Sequence, residues 1–265
     1  MARTEVISSP ANPLLKSVRR ALARGTTTEE GCWAAETFHL LEEALRSDRE
    51  VKTVLAAESV QATVDSHVKG LGIRVTIVAD ALFAGLSQTE SSQGVIALVR
   101  PPEWTVEQLF RGRGLVVVLD GVQDPGNAGT IIRAAEAFGG TGVLFLKGTV
   151  APHNPKLLRA SAGSMFRIPF VHGLDVTLAR AALKQAKLDI YAAVPGRGPS
   201  TRPQDANLTR KCALIIGSEA RGVSPELRGD AQDLRIPTVR VESLNAAAAA
   251  AILLYEAARQ RSARQ

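Results

Sequence analysis

The stretch Leu115-Val-Val-Val-Leu-Asp-Gly-Val-Gln-Asp-Pro-Gly-Asn-Ala-Gly-Thr-Ile-Ile-Arg133 decides the fold of this chain. Its first five residues are apolar without interruption, which is typical of a strand buried on both faces. A turn rich in glycine follows, and the residues after it predict a helix from Thr130 to Phe138. A buried strand that leads through a short turn into a helix is the building unit of a parallel sheet.

The same alternation continues towards the end of the chain. Apolar runs predict strands at 115–119, 142–146, 168–170, 190–194, 213–216 and 234–236. Because helices are predicted between them, these strands indicate an α/β fold with a parallel sheet covered on both faces. Sheets of this kind bind ligands at the carboxyl ends of their strands, so a functional site is expected in the loops that follow the strands.

A domain boundary is predicted between Arg100 and Gly114, where two prolines and several arginines separate two strand-like runs. We therefore predict a first domain at 1–103 and a second at 112–265. The first domain also alternates short strands and helices, which indicates a second α/β unit. It includes a basic amphipathic helix predicted from Leu14 to Ala23.

The charge composition favours a polyanionic partner. The 265 residues include 32 Lys and Arg against 26 Asp and Glu, a net charge of +6, and arginine far outnumbers lysine. Guanidinium groups bind phosphates through two parallel hydrogen bonds, so nucleic acid is the favoured partner. Ordinary solubility charge also explains a net charge of this size.

Cysteine spacing and hydropathy argue against several other classes. Cys32 and Cys212 stand far apart with no CxxC pair, so we expect no metal site and no disulfide scaffold, and both thiols are expected in the core. No apolar run is long enough to cross a membrane, and the first residues lack the apolar segment of a secretory signal. We therefore expect a cytoplasmic protein without a membrane partner.

Three polar stretches, each at the end of a predicted strand, predict one composite site. They are Asn127–Arg133, Gly217–Gly222, and Ile236-Pro237 with the nearby Glu242–Asn245. Each has a structural explanation on its own: a surface arginine, a tight turn with an ion pair, and a helix cap. Because all three follow strands of one predicted parallel sheet, they should lie together.

The motifs Asn127-x-Gly-x-x-x-Arg133, Gly217-Ser-Glu-x-x-Gly222, and Ile236-Pro237 with Ser243-Leu244-Asn245 resemble those of a known family. It is the TrmH (SpoU) family of RNA 2'-O-ribose methyltransferases, in the SPOUT superfamily. The resemblance covers the second domain and implies an α/β-knot fold, with a trefoil knot at its C-terminal end. The first domain is similar to the family's accessory RNA-binding domain, an α/β fold like that of certain ribosomal proteins.

The resemblance also implies a cofactor and a reaction. S-adenosylmethionine would bind in the knot loops, with contacts on Gly217, Ile236 and Leu244, and its methyl group would pass to a ribose 2'-hydroxyl. The residues implied in catalysis are Asn127, Arg133, Glu219, Ser243 and Asn245. The motif arginine would act either as the base or, because guanidinium stays protonated in proteins, as the group that holds a phosphate and stabilises the developing oxyanion.

The same resemblance implies the partners. It implies a homodimer whose interface includes the C-terminal helix, where the small residues Ala246–Ala251 would allow close approach. Ribosomal RNA is favoured over transfer RNA, because the accessory domain adds recognition surface. Phosphate contacts are expected on the basic helix at Lys16, Arg19, Arg20 and Arg24, although solvated helix charge explains these residues equally well.

Two alternatives stay open. One is a transfer-RNA 2'-O-ribose methyltransferase, and the other is a non-catalytic RNA-binding protein of the same fold, against which the intact motifs argue. The accessory domain departs from the family pattern at one point, where the family commonly has Glu-Gly and this chain has Glu36-Thr37. Thr37 is therefore a position at which the RNA contact of that domain would differ.

Overall fold

The computed structural model describes residues 5–89, 91–196 and 199–263 and divides into two compact units. The first unit comprises the described residues up to Glu103 together with His153–Arg167. The second comprises Trp104–Pro152 and the described residues from Ile168 onward. Segment 153–167 therefore belongs to the first unit, whereas the sequence prediction placed it within the second domain at 112–265.

Strands and helices alternate in both units, which confirms the predicted α/β class. The strands of the described chain are β1 Glu5–Ile7, β2 Trp33–Glu36, β3 Val51–Ala57, β4 Arg74–Val78, β5 Val95–Val99, β6 Leu115–Asp120, β7 Gly142–Leu146, β8 Phe170–Leu174, β9 Asp189–Ala193, β10 Cys212–Gly217 and β11 Gln232–Leu234. Its helices are α1 Pro13–Arg24, α2 Phe38–Arg46, α3 Gln61–His67, α4 Asp80–Ala84, α5 Val106–Leu109, α6 Pro125–Ala137, α7 Pro155–Ala160, α8 Val176–Gln185, α9 Pro225–Arg228 and α10 Ala246–Ser262. Among these helices none is long and apolar enough to cross a membrane.

The first unit contains a five-stranded mixed sheet in the order β1-β4-β3-β5-β2. β4 pairs in parallel with β1 and β3, whereas β5 pairs antiparallel with β3 and β2. The sequence prediction missed β1, because three residues are too few for a hydropathy period to appear. The antiparallel strands likewise follow from long-range pairing that no local pattern reveals.

The basic helix α1 forms as the sequence predicts. The side chain of Asn12 caps its start by accepting a hydrogen bond from the backbone amide of Leu14 at 2.8 Å. Leu15, Val18 and Leu22 are buried in the core of the first unit, which confirms the predicted apolar face. The charged residues of the helix therefore remain on its outer side.

The junction of β2 and α2 carries the residue pair that departs from the family pattern. Thr37 has φ 128° and ψ 152°, a region populated almost only by glycine that costs other residues about 1–3 kcal/mol. Its hydroxyl caps α2 by accepting from the amide of Leu40 at 3.2 Å. Beside it, the buried Glu36 pairs with Arg159 of α7 at 3.2 Å. This contact between residues far apart in sequence helps to hold segment 153–167 in the first unit, and local spacing cannot reveal it.

The second unit contains a six-stranded parallel sheet in the order β11-β9-β10-β6-β7-β8. The six predicted strands and their parallel arrangement are confirmed. The observed ranges of β8 and β11 are displaced from the predicted 168–170 and 234–236. Both are edge strands with partly exposed residues, so hydropathy marks them poorly.

The order of strands reverses beside β6. From this central strand β7 and β8 extend the sheet on one side, and β10, β9 and β11 extend it on the other. The last residues of β6 and β10, Asp120 and Gly217, are register partners, so the loops after them start side by side. Loops that diverge from such a switch point leave a crevice at the carboxyl edge of the sheet.

Candidate active site

A cavity of about 550 Å³ lies at this carboxyl edge of the second unit. Its lining includes segments 193–196, 216–223 and 242–246, together with Leu234 and Ile236. These segments follow β9, β10 and β11 and open α10. The volume falls within the range of roughly 300–1,000 Å³ that is typical of sites for small ligands and cofactors. Within the described ranges, no group of three or more His, Cys, Asp or Glu side chains is arranged to hold a metal ion.

The turn after β10 is too tight for a side chain at its first residue. A Cβ atom on Gly217 would lie 2.2 Å from the carbonyl carbon of Gly222 and 2.3 Å from the backbone nitrogen of Val223. The amide of Gly222 closes the turn by donating to the carbonyl oxygen of Ser218 at 2.8 Å. Gly222 itself has φ 67°, which favours glycine. The turn therefore lets the backbone approach an occupant of the cavity closely.

A chain of hydrogen bonds joins the three polar stretches. The side-chain amide of Asn245 donates to the side-chain oxygen of Asn127 at 2.9 Å, and the amide of Asn127 donates to the carboxylate of Glu219 at 2.6 Å. The oxygen of Asn245 also accepts from the backbone amides of Ala247 and Ala248, which caps α10. Each asparagine side chain thus donates through its nitrogen and accepts through its oxygen, which fixes the orientation of both carboxamides.

The predicted site residues of the second and third stretches lie together. Six of them line the cavity: Gly217, Glu219, Ile236, Ser243, Leu244 and Asn245. Asn127 is not part of that lining, but its hydrogen bonds to Glu219 and Asn245 place it beside the cavity. The loops after β6, β10 and β11 therefore meet, as their positions at strand ends indicate.

Arg133 is placed differently from the other candidates. Its neighbours Ile131, Ile132 and Ala135 on α6 are buried, and Arg133 itself is exposed. It does not line the cavity. Its guanidinium makes no hydrogen bond or ion pair with any residue that the structure describes. Arg133 is therefore available to a ligand that approaches from solvent.

Sequence reasoning missed several residues of the cavity. Arg221, Arg228 and Glu242 add charged groups to its lining, and residues 193–196 after β9 also contribute. Hydrogen bonding to Asp233, at 2.6 Å in the ion pair, raises the pKa of Arg228. The loop after β9 follows a predicted strand, so its position gave a usable signal. Arg221 and Glu242 lie within the predicted polar stretches, although no role was assigned to them. Arg228 gave no signal, because its place beside the cavity depends on tertiary structure.

The four candidate phosphate contacts on α1 differ in their surroundings. Arg20 pairs with Glu29 at 2.8 Å, and both side chains are about half exposed or more. The Nε of Arg19 donates to the carbonyl oxygen of Gly85 at 3.4 Å. Lys16 and Arg24 are exposed and have no such partner in the described part of the chain. These two are therefore the cations of α1 most available to a phosphate.

The fold and motifs match a known family over most of the chain. Residues 114–255 match the SpoU rRNA Methylase family. Residues 38–105 match the family model described as RNA 2'-O ribose methyltransferase substrate binding. The chain therefore belongs to the SpoU family of RNA methylases, which confirms the resemblance seen in its motifs.

Particular relatives resemble this chain across both units. It is 33% identical over 251 residues to the 23S rRNA (guanosine(2553)-2'-O)-methyltransferase RlmP of Bacillus subtilis, which covers 94% of this chain and 97% of that protein. The crystal structure of AdoMet-bound rRNA methyltransferase from Sinorhizobium meliloti matches with a TM-score of 0.84 at 26% identity. The match covers 97% of this chain and 98% of that protein. A crystal structure of an RNA 2'-O ribose methyltransferase matches with a TM-score of 0.80 at 30% identity, over 98% of this chain and 100% of that protein.

Proposed function

We propose that this protein transfers a methyl group from S-adenosylmethionine to a ribose 2'-hydroxyl of ribosomal RNA. The observation that carries the proposal is the hydrogen-bonded chain Asn245–Asn127–Glu219, two members of which line the 550 Å³ cavity. Polar groups held in one orientation beside a cofactor-sized cavity suit a reaction that depends on alignment. The similarity to RlmP, a 23S rRNA methyltransferase, favours ribosomal RNA as the substrate.

The cavity suits S-adenosylmethionine. Gly217, Ile236 and Leu244 line it, and the tight turn that starts at Gly217 brings backbone close to an occupant. The carboxylates of Glu219 and Glu242 also belong to the lining and are compatible with a positively charged ligand. When bound, this cofactor supplies a methyl group that its sulfonium already activates.

Residues around the cavity align the ribose, accept its proton and stabilise the developing charge. A ribose hydroxyl is a poor nucleophile while it is protonated, so it must be aligned with the methyl group and must lose its proton. Asn127, Ser243 and Asn245 orient the ribose, and Glu219 accepts the proton or pairs with an arginine. Arg133 holds a substrate phosphate and stabilises the developing oxyanion, because a guanidinium group stays protonated in proteins.

The trefoil knot and the homodimer implied by the family belong to the same proposal. The C-terminal helix supports the dimer, since Ile252 and Tyr255 of α10 are 42% and 56% exposed. The small side chains of Ala246–Ala251 on the same helix suit close helix packing. We expect analytical ultracentrifugation to show a dimer that Ile252→Glu with Tyr255→Glu converts to a monomer. A wild-type protein that is monomeric while fully active would contradict this.

The reaction is tested by mapping 2'-O-methyl groups in total RNA from cells with and without this gene. We expect one methyl group to disappear from ribosomal RNA, and to return with the wild-type gene but not with Asn127→Ala. Loss from a transfer RNA instead would support the transfer-RNA alternative. An unchanged methylation map, with RNA binding by the purified protein, would support the non-catalytic alternative.

We also place the protein in the cytoplasm with its RNA, and we assign Lys16, Arg19, Arg20 and Arg24 to RNA contact.

A further inference from the structure

The second unit carries a cluster of cations at the edge of its sheet opposite the cavity. The neighbouring parallel strands β9, β10 and β6 begin at Asp189, Cys212 and Leu115, which are register partners. The segments that lead into these strands carry five exposed cations, termed the basic edge: Arg111, Arg113, Lys187, Arg210 and Lys211. Because the strands start side by side, the segments that carry these residues lie close together although they are far apart in sequence.

Three cations of the basic edge line a cavity of about 320 Å³. The lining consists of Lys187, Arg210 and Lys211 with Ala186 and Asp189. Asp189 pairs with Arg210 at 3.4 Å, with side chains 37% and 69% exposed, so solvent weakens this pair. Three cations against one carboxylate leave a positive concave surface, which suits a phosphate group.

The backbone at Lys187 favours a different residue. Lys187 has φ 55° and follows α8, whose C-terminal cap is Ala186. A left-handed residue just beyond a helix is usually glycine or asparagine, because a Cβ atom lies too close to the following carbonyl oxygen there and asparagine offsets this by local hydrogen bonding. The chain thus has a strained lysine where glycine would be relaxed, and this lysine adds a cation to the basic edge.

A buried guanidinium holds the basic edge in place. Arg261 of α10 is 8% exposed and donates to the backbone carbonyl oxygens of Leu208, Arg210 and Gly114 at 2.8, 2.7 and 3.3 Å. It thereby ties the segment before β10 to the segment before β6. The stem of Lys211 lies over Gly114, where an added Cβ would be 3.2 Å from the Cγ of the lysine. A surface fixed in this way loses little conformational entropy when it binds.

We propose that the basic edge binds the phosphate backbone of the RNA substrate, as a contact separate from the cofactor cavity. This inference rests on the proposed function, since it takes RNA as the substrate. β10 has six residues, which at about 3.3 Å per residue places the two edges of the sheet roughly 20 Å apart. An RNA that reaches both edges must fold around the unit, so this contact favours a large structured RNA over a short isolated stem.

The first test neutralises the basic edge with Lys187→Gln, Arg210→Gln and Lys211→Gln in the full chain. The matched control, Lys147→Gln with Lys184→Gln and Arg202→Gln, removes the same charge from exposed positions of the second unit that line neither cavity. Binding to an unmodified 23S rRNA transcript is measured over a range of salt concentrations. For the basic-edge variant alone, we expect at least tenfold weaker binding at about 150 mM salt. We also expect the slope of log affinity against log salt concentration to be smaller in magnitude by about 2. An equal loss in both variants, or no loss in either, would overturn the proposal.

The second test separates binding from stability. Lys187→Gly removes the cation and relaxes the backbone, so we expect a higher thermal midpoint together with weaker 23S rRNA binding. Unchanged RNA affinity in this variant would also overturn the proposal. Calorimetry with S-adenosylmethionine and methyl transfer by the wild type report on the proposed function independently. If the wild type transfers no methyl group while the basic-edge variant still loses RNA affinity, the proposed function fails and only RNA binding at the basic edge is supported.

Discussion

Arg133→Ala is expected to lower the rate of methyl transfer by about 10²–10³-fold while S-adenosylmethionine affinity stays unchanged. Arg133 does not line the cavity, so its removal leaves the cofactor contacts intact. Its exposed guanidinium has no partner among the described residues, so it is available to the RNA. Single-turnover transfer to 23S rRNA gives the rate, and calorimetry gives the cofactor affinity. Near-normal turnover would refute the assigned role. Arg202→Ala, at an exposed position of the second unit outside the cavity, serves as the control for loss of an arginine.

Arg133→Lys distinguishes the two roles left open for this residue. A lysine side chain titrates near pH 10.4 in model peptides, to within about a unit in most proteins. If the residue stabilises charge, activity relative to the wild type should fall as pH rises towards that value, because the cation is lost. If the residue is the base, relative activity should rise over the same interval, because the neutral amine forms. We expect the fall.

Gly217→Ala is expected to weaken S-adenosylmethionine binding by at least tenfold. The added methyl group would lie within 2.4 Å of three backbone atoms of Gly222 and Val223. Backbone in a closed turn cannot yield as a flexible side chain does, and overpacking of this kind costs about 1–3 kcal/mol. A loss of about 1.4 kcal/mol in binding corresponds to a factor of ten. Calorimetry at constant temperature measures the effect.

Gly229→Ala is the matched control for this substitution. The position also lies in the second unit, with φ −60° at the end of α9, and its added Cβ would meet the carbonyl oxygen of Pro225 at 3.4 Å. We expect its cofactor affinity and thermal midpoint to match the wild type. Wild-type cofactor affinity in Gly217→Ala would show that the turn tolerates a side chain and does not shape the cavity.

Much of the second unit could be predicted because its central strands are buried on both faces. Residues 115–119 and 213–216 are apolar without interruption, so hydropathy alone marks them. The predicted ranges of the edge strands β8 and β11 were displaced from the observed ones, because their exposed residues weaken the hydropathy signal. In the first unit, β1 is too short to show a period.

The candidate site was predictable to the extent that it follows strand ends. Gly217 could be singled out because it ends a buried strand at the ligand-binding edge, and Asn245 because it lies between the last strand and the last helix. The bonds that join Asn127 to Glu219 and Asn245 could not be derived, since they depend on how separate loops approach each other. The catalytic roles of Asn127, Glu219 and Asn245 remain predictions, as does the division into domains at 1–103 and 112–265.

The sequence by itself determined the α/β class, the parallel sheet and the family, because buried strands and their polar ends are local patterns in the chain. Only the tertiary structure decided which side chains meet. It placed segment 153–167 in the first unit through contacts such as Glu36 with Arg159. It also gathered Lys187, Arg210 and Lys211 at one edge. The physical reason is that contacts between distant segments follow from strand order and loop paths, which no short-range pattern encodes.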